Sequence, residues 1–156
     1  MDKIGFIGMG NMGYALMNGC LSFFDKDDVL FFDTNAERCE EIKSKTGVNY
    51  VSSVSELVES VKYVVLAIKP QVYEVALEGV PEHVNEDTII ISLAPGITVE
   101  KVRGLTSAEK IIRTMPNTPA MDIRQMSQQL SRGSAGEYQA DEPAGVARLS
   151  WRVSGR

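Results

Sequence analysis

Apolar residues fall along this chain in two alternating rhythms. Continuous runs at Lys3-Ile4-Gly5-Phe6-Ile7, Val29-Leu30-Phe31-Phe32, Tyr63-Val64-Val65-Leu66-Ala67-Ile68, Thr88-Ile89-Ile90-Ile91-Ser92-Leu93 and Lys110-Ile111-Ile112-Arg113 predict strands. Unbroken apolar character is expected of parallel strands covered on both faces. Between the runs, apolar residues recur at helical spacing. Met12, Ala15, Leu16, Gly19, Cys20 and Phe23 make one stripe, Val54, Leu57, Val58 and Val61 a second, Val72, Val75, Ala76 and Gly79 a third, and Val99, Val102 and Leu105 a fourth. Helix starts are marked by Thr34-Asn35-Ala36-Glu37 and Ser53-Val54-Ser55-Glu56, which fit capping boxes, and by Thr98. The first box opens a charged helix running to about Lys45 with Gly47 as its stop, and Asn49-Tyr50-Val51 reads as a short third strand.

This β-α alternation predicts an α/β fold of the Rossmann-like, doubly wound kind: a mostly parallel sheet with helices on both faces, joined by right-handed crossovers. The expected strand order is 3-2-1-4-5-6.

The first strand runs into Gly8-Met9-Gly10-Asn11-Met12-Gly13, a dinucleotide-binding fingerprint. Gly8 permits the turn, Gly10 lets the backbone approach a pyrophosphate, and Gly13 lets the helix pack on the sheet. A helix starting near Asn11 would direct unpaired N–H groups and the positive end of its dipole at the phosphates. Asp33 closes the second strand about 20 residues past the last glycine, where a ribose-binding acid is expected. Its carboxylate suits a free 2′-hydroxyl and would repel a 2′-phosphate, while Thr34, Asn35 and Arg38 could receive that phosphate. Both NADH and NADPH remain open, with dual use as the reading.

Composition narrows the classes of function. A chain of 156 residues, 44% hydrophobic, can bury one sizeable core. The net charge of −5 offers no basic stripe for a nucleic acid. No run approaches the roughly 18 apolar residues of a membrane span, and the start of the chain enters a strand without a signal-peptide core, so the expected location is the cytoplasm. Cys20 and Cys39 lack metal or redox spacing, and Cys20 belongs to a core face. His83 lies in a polar loop, which makes a histidine triad or zinc centre improbable. From Met121 the character changes: residues 121–156 hold few large aliphatics and no sustained period, with Val146, Leu149, Trp151 and Val153 as the hints of a docking element. The expected organisation is a dinucleotide-binding domain over 1–120 and an irregular or disordered tail over 121–156.

Four motifs then align in order: Ile4 to Gly13, Ala67-Ile68-Lys69-Pro70, Ser92-Leu93-Ala94-Pro95-Gly96, and Arg113-Thr114-Met115-Pro116-Asn117-Thr118-Pro119-Ala120. Together they resemble the pyrroline-5-carboxylate reductases over residues 1 to about 120. The resemblance implies reduction of the cyclic imine 1-pyrroline-5-carboxylate to L-proline with hydride from NADP(H) or NAD(H), the last step of proline biosynthesis. It implies that Gly8 to Gly13 hold the pyrophosphate and that Ala67, Ile68, Lys69 and Pro70 border the ribose and nicotinamide. Asn117 would lie beside the nicotinamide and the substrate as the catalytic candidate, although asparagine there also suits a turn. Members of the family are homo-oligomers through a helical C-terminal domain. Residues 121–156 do not resemble that domain, so the expectation is a truncated or frameshifted chain with impaired turnover and an exposed apolar surface. The competing expectations are a non-catalytic dinucleotide-binding module and a related oxidoreductase on the same N-terminal domain.

Overall fold

The computed structural model describes residues 2–114. Its strands are β1 (Ile4–Ile7), β2 (Val29–Phe32), β3 (Asn49–Tyr50), β4 (Tyr63–Leu66), β5 (Ile89–Ser92) and β6 (Lys110–Arg113), and its α-helices are α1 (Asn11–Cys20), α2 (Ala36–Thr46), α3 (Val54–Ser60), α4 (Tyr73–Ala76) and α5 (Val99–Thr106). All strand pairs are parallel, in the order β3-β2-β1-β4-β5-β6. The doubly wound prediction and its strand order are therefore borne out.

Side-chain alternation divides the core between the two faces. Ile4, Phe6, Val29, Phe31 and Val65 point to one side, where Leu16, Met17 and Cys20 of α1 and Cys39 and Ile42 of α2 cover them. Ile7, Val64, Leu66 and Ile90 point to the other, beneath Leu57 and Val58 of α3, Tyr73 of α4 and Val102 of α5. Burial on both faces is what continuous apolar strands require. Edge strand β6 is only partly buried along its length.

Several local expectations are corrected. The strands are shorter than the apolar runs, because Leu66 is the last residue of β4 in register with Ile7 and Ser92. Ala67 makes one further sheet-like bond, its N–H donating to the Ile7 carbonyl at 2.9 Å, and the chain then leaves the sheet. Phe23 lies beyond the end of α1 and is 46% exposed, so the buried stripe of that helix is Gly13, Leu16, Met17 and Cys20. In α2 the cap is Asn35 rather than Thr34, its side chain accepting from the Arg38 N–H. Gly47 ends that helix in the left-handed region, φ 74°, as expected.

The second capping box forms with one arm displaced. Ser53 Oγ accepts from the Glu56 N–H, while Glu56 Oε2 reaches back to the N–H and hydroxyl of Ser52, not of Ser53. Those bonds hold the Glu56 carboxyl below the usual carboxylate range. The stripe predicted over Val72 to Gly79 is the largest miss. Pro70–Val72 forms a 3-10 turn, α4 is a single turn, and Val75 is 78% exposed. The inward residues are Tyr73, Leu77 and Val80, a set rotated by one position. In α5, Thr106 shares the buried face with Val99 and Val102, its hydroxyl donating to the Val102 carbonyl.

Among the described residues no helix is long and apolar enough to cross a membrane. The predicted boundary at 120, and the expectations for residues 121–156, lie outside the described residues.

Candidate functional site

The carboxyl ends of β1 and β4 lie side by side where the strand order reverses, the place at which open parallel sheets receive ligands. The glycine loop occupies that corner. Gly8 has φ +96°, and a Cβ there would lie 2.7 Å from Ile68 Cγ2 and 2.8 Å from the Ala67 carbonyl oxygen. A Cβ on Gly13 would lie 2.0 Å from the Gly8 carbonyl oxygen. Both glycines are thus demanded by the protein itself, the first by its backbone conformation and the second by the helix's approach to the loop.

Gly10 differs. Its backbone is ordinary for any residue, φ −66° and ψ −172°, and an added Cβ would meet nothing within 4 Å. Neither strain nor packing against the described residues accounts for a glycine here.

The start of α1 faces the same space. Gly10 is its N-cap, with no side-chain cap bond and no acidic residue in the first turn. Helices α2, α3 and α5 begin instead with side-chain acceptors on Asn35, Ser53 and Thr98. The first bond within α1 runs from the Tyr14 N–H to the Gly10 carbonyl. The N–H groups of Asn11, Met12 and Gly13 are left as the helix's open donors, at the positive end of its dipole. An anionic group fits such an end.

The second side of the corner comes from the end of β2. Asp33 Oδ2 accepts from the Met9 N–H at 2.6 Å, and Oδ1 accepts from the Asn35 N–H at 2.9 Å. Arg38 Nε donates to the Met9 carbonyl at 3.3 Å, and Nη1 donates to Glu41 at 2.9 Å. The guanidinium lies 5.1 Å from the centre of the Tyr14 ring, within cation-π range. Met9 is 1% exposed and its side chain belongs to the core, so that side chain is not offered to a ligand. Of the three residues predicted around the ribose, Asp33 and Asn35 engage the backbone of their own neighbourhood, and Thr34 is exposed.

The third side follows β4. Ala67 and Ile68 flank the loop, their atoms being those that a side chain on Gly13 or Gly8 would strike. Lys69 is exposed and caps the 3-10 turn begun by Pro70. Beneath that segment, the hydroxyls of Tyr73 and Ser92 share a hydrogen bond of 2.9 Å. Tyr73 is fully buried, and burial pushes its phenol above the ordinary value. The sequence reading passed over this pair, although the spacing of Tyr73, Leu77 and Val80 carried the signal.

Asn117, Pro116 and Pro119 lie outside the described residues. His83 sits away from the corner, paired with Glu59. Among the described residues no group of three or more His, Cys, Asp or Glu side chains could hold a metal ion.

Comparison with known proteins gives a consistent result. The family model described as NADP oxidoreductase coenzyme F420-dependent matches residues 3–96. The pyrroline-5-carboxylate reductase of Escherichia coli (strain K12) is 31% identical over 122 residues, 76% of this chain and 45% of that protein. A solved pyrroline-5-carboxylate reductase from Coxiella burnetii superposes with a TM-score of 0.71 at 28% identity, covering 79% of this chain and 46% of that one. The Plasmodium falciparum pyrroline carboxylate reductase, solved with NADP bound, gives a TM-score of 0.65 at 28% identity over 77% of this chain and 44% of that one. The chain thus spans less than half the length of these relatives.

Proposed function

The chain belongs to the family described as NADP oxidoreductase coenzyme F420-dependent, and on that premise we propose that its glycine loop holds the pyrophosphate of NADP(H) or NAD(H) for a pyrroline-5-carboxylate reductase. The reaction in this reading converts 1-pyrroline-5-carboxylate to L-proline, within proline biosynthesis and in the cytoplasm. The partner is a small imino acid rather than a nucleic acid or a membrane, and the working form is a homo-oligomer, as the family resemblance implies.

One observation carries the reading: Gly10 has no internal reason to be glycine and borders open space. The uncapped start of α1 supports it, as do the names of the relatives and the NADP bound to the Plasmodium falciparum protein. When bound, the reduced nicotinamide supplies the hydride.

The chain's own residues bind and orient. The N–H groups at the start of α1 receive the pyrophosphate charge, fixed in place before the ligand arrives. Gly8 and Gly13 keep loop, helix and β4 close enough for that alignment. Ala67, Ile68, Lys69 and Pro70 border the ribose and nicotinamide, and the buried Tyr73–Ser92 bond steadies the segment below them. By the family resemblance, Asn117 would hydrogen-bond the substrate or a water that delivers the ring-nitrogen proton.

The test is a titration of the purified chain with NADPH and NADH, followed by nicotinamide emission, with proline measured after 1-pyrroline-5-carboxylate is added. Saturable binding is expected, and proline formation tests the substrate separately. Absence of binding by both coenzymes would overturn the reading.

A further inference from the structure

We propose that Tyr14 is a positioning residue for coenzyme choice, its ring holding the Arg38 guanidinium in place to receive the 2′-phosphate of NADP(H). The inference rests on the coenzyme reading above and deepens it, by naming what lets one corner serve NADPH as well as NADH.

Arg38 reaches the corner from α2, and three described groups fix it. Nε donates to the Met9 carbonyl at 3.3 Å, Nη1 donates to Glu41 Oε2 at 2.9 Å, and the guanidinium carbon lies 5.1 Å from the centre of the Tyr14 ring. A guanidinium carries more donors than these contacts use. Nη2 bonds no described residue, so the fork keeps an open end.

Met9 joins that fork to the acid at the end of β2. Its N–H donates to Asp33 Oδ2 at 2.6 Å, and its carbonyl takes Arg38. A ribose held on the remaining lone pairs of Asp33 therefore carries its 2′ substituent within reach of Arg38. In NADH that substituent is a hydroxyl, which suits the carboxylate alone. In NADPH it is a phosphate, which the carboxylate repels and the guanidinium receives.

Stability alone does not favour a cation at this place. Arg38 is the third residue of α2, in the first turn, where the helix dipole opposes positive charge. Its ion pair with Glu41 is exposed and shared with Lys45, and such pairs contribute little. An anionic ligand accounts for the cation.

Tyr14 is fitted to hold it. Its N–H closes the first turn of α1 on the Gly10 carbonyl at 3.0 Å, and its partly buried side chain packs on the core. The ring is thus a platform anchored by α1, and an arginine stacked on an aromatic face loses much of its freedom to swing. The phenol hydroxyl bonds no described residue, so the role belongs to the ring.

The parent protein, Tyr14→Leu and Tyr14→Phe are titrated with NADPH and NADH by nicotinamide emission, at a temperature where melting shows each folded. Tyr14→Leu should lower the NADPH-to-NADH affinity ratio by about fivefold or more, and Tyr14→Phe should keep it within about twofold. In an Arg38→Met background, adding Tyr14→Leu should change the ratio by no more than about twofold, because the stack is already gone. A parallel loss of both coenzymes in Tyr14→Leu would reduce Tyr14 to a residue of stability, and an equal fall in Tyr14→Phe would move the role to the hydroxyl. A further fall in the Arg38→Met background would show that Tyr14 acts without Arg38. Each of these results contradicts the proposal, as does an unchanged ratio in Tyr14→Leu or a parent that binds NADH and not NADPH. A parent that binds neither overturns the coenzyme reading itself.

Discussion

The phenol of Tyr73 and the hydroxyl of Ser92 lie 2.9 Å apart in the core, joining the helix after β4 to the last residue of β5. Ser92 is also in register with Leu66 and Arg113, so the bond sits at the carboxyl edge of three strands. Tyr73→Phe leaves the Ser92 hydroxyl buried without this partner. The expected cost is about 1–3 kcal/mol in urea unfolding, and adding Ser92→Ala should recover part of it, since replacing both partners removes the unsatisfied group.

The cap of α2 gives a test that separates adjacent residues. Asn35→Ala should destabilise the protein by about 1 kcal/mol, while Thr34→Ala should stay within about 0.5 kcal/mol. Equal effects would mean that the cap is not Asn35.

These corrections show which parts of the fold were legible in the sequence. Strand order and the two-sided sheet were, because strands buried on both faces read as unbroken apolar runs and their crossovers follow one hand. The register of short elements was not. Val72 and Val75 compete with Tyr73 and Leu77 as the inward set of the segment around α4, and a one-position rotation decides between them. The tyrosine wins by volume and by finding Ser92. Spacing likewise located Asp33 at the end of β2 but could not say what its oxygens bond. The motif gives Gly8, Gly10 and Gly13 separate jobs, and the space around them differs in the same sense: an added Cβ would clash at Gly8 and Gly13 and meets nothing within 4 Å at Gly10.

Burial pushes the Cys20 thiol from 9.0 up to about 12. The native state therefore keeps a proton that the unfolded chain releases above pH 9.0, and stability falls as pH rises from there toward about 12. The full slope of one such group is about 1.4 kcal/mol per pH unit. Cys20→Ala should show a flatter decline than the parent protein across that window in parallel unfolding curves, whatever its offset at neutral pH. Parallel slopes would refute the assignment.

Gly13→Ala places a methyl group against the backbone oxygen of Gly8, which no rotamer change relieves. A loss of at least about 3 kcal/mol is expected in denaturant unfolding, at the upper end of overpacking effects. Near-wild-type stability would mean that α1 can draw back from the loop.

The most direct measurement pairs stability with coenzyme affinity for Gly10→Ala. The added methyl group meets no protein atom within 4 Å and the backbone conformation is open to alanine, so stability should stay within about 1 kcal/mol of the parent. Affinity for NADPH and NADH should fall by about tenfold or more as the methyl group holds the pyrophosphate off the loop. A folded Gly10→Ala protein that binds both coenzymes as tightly as the parent would contradict the account, because the space above Gly10 would then not be where the dinucleotide lies.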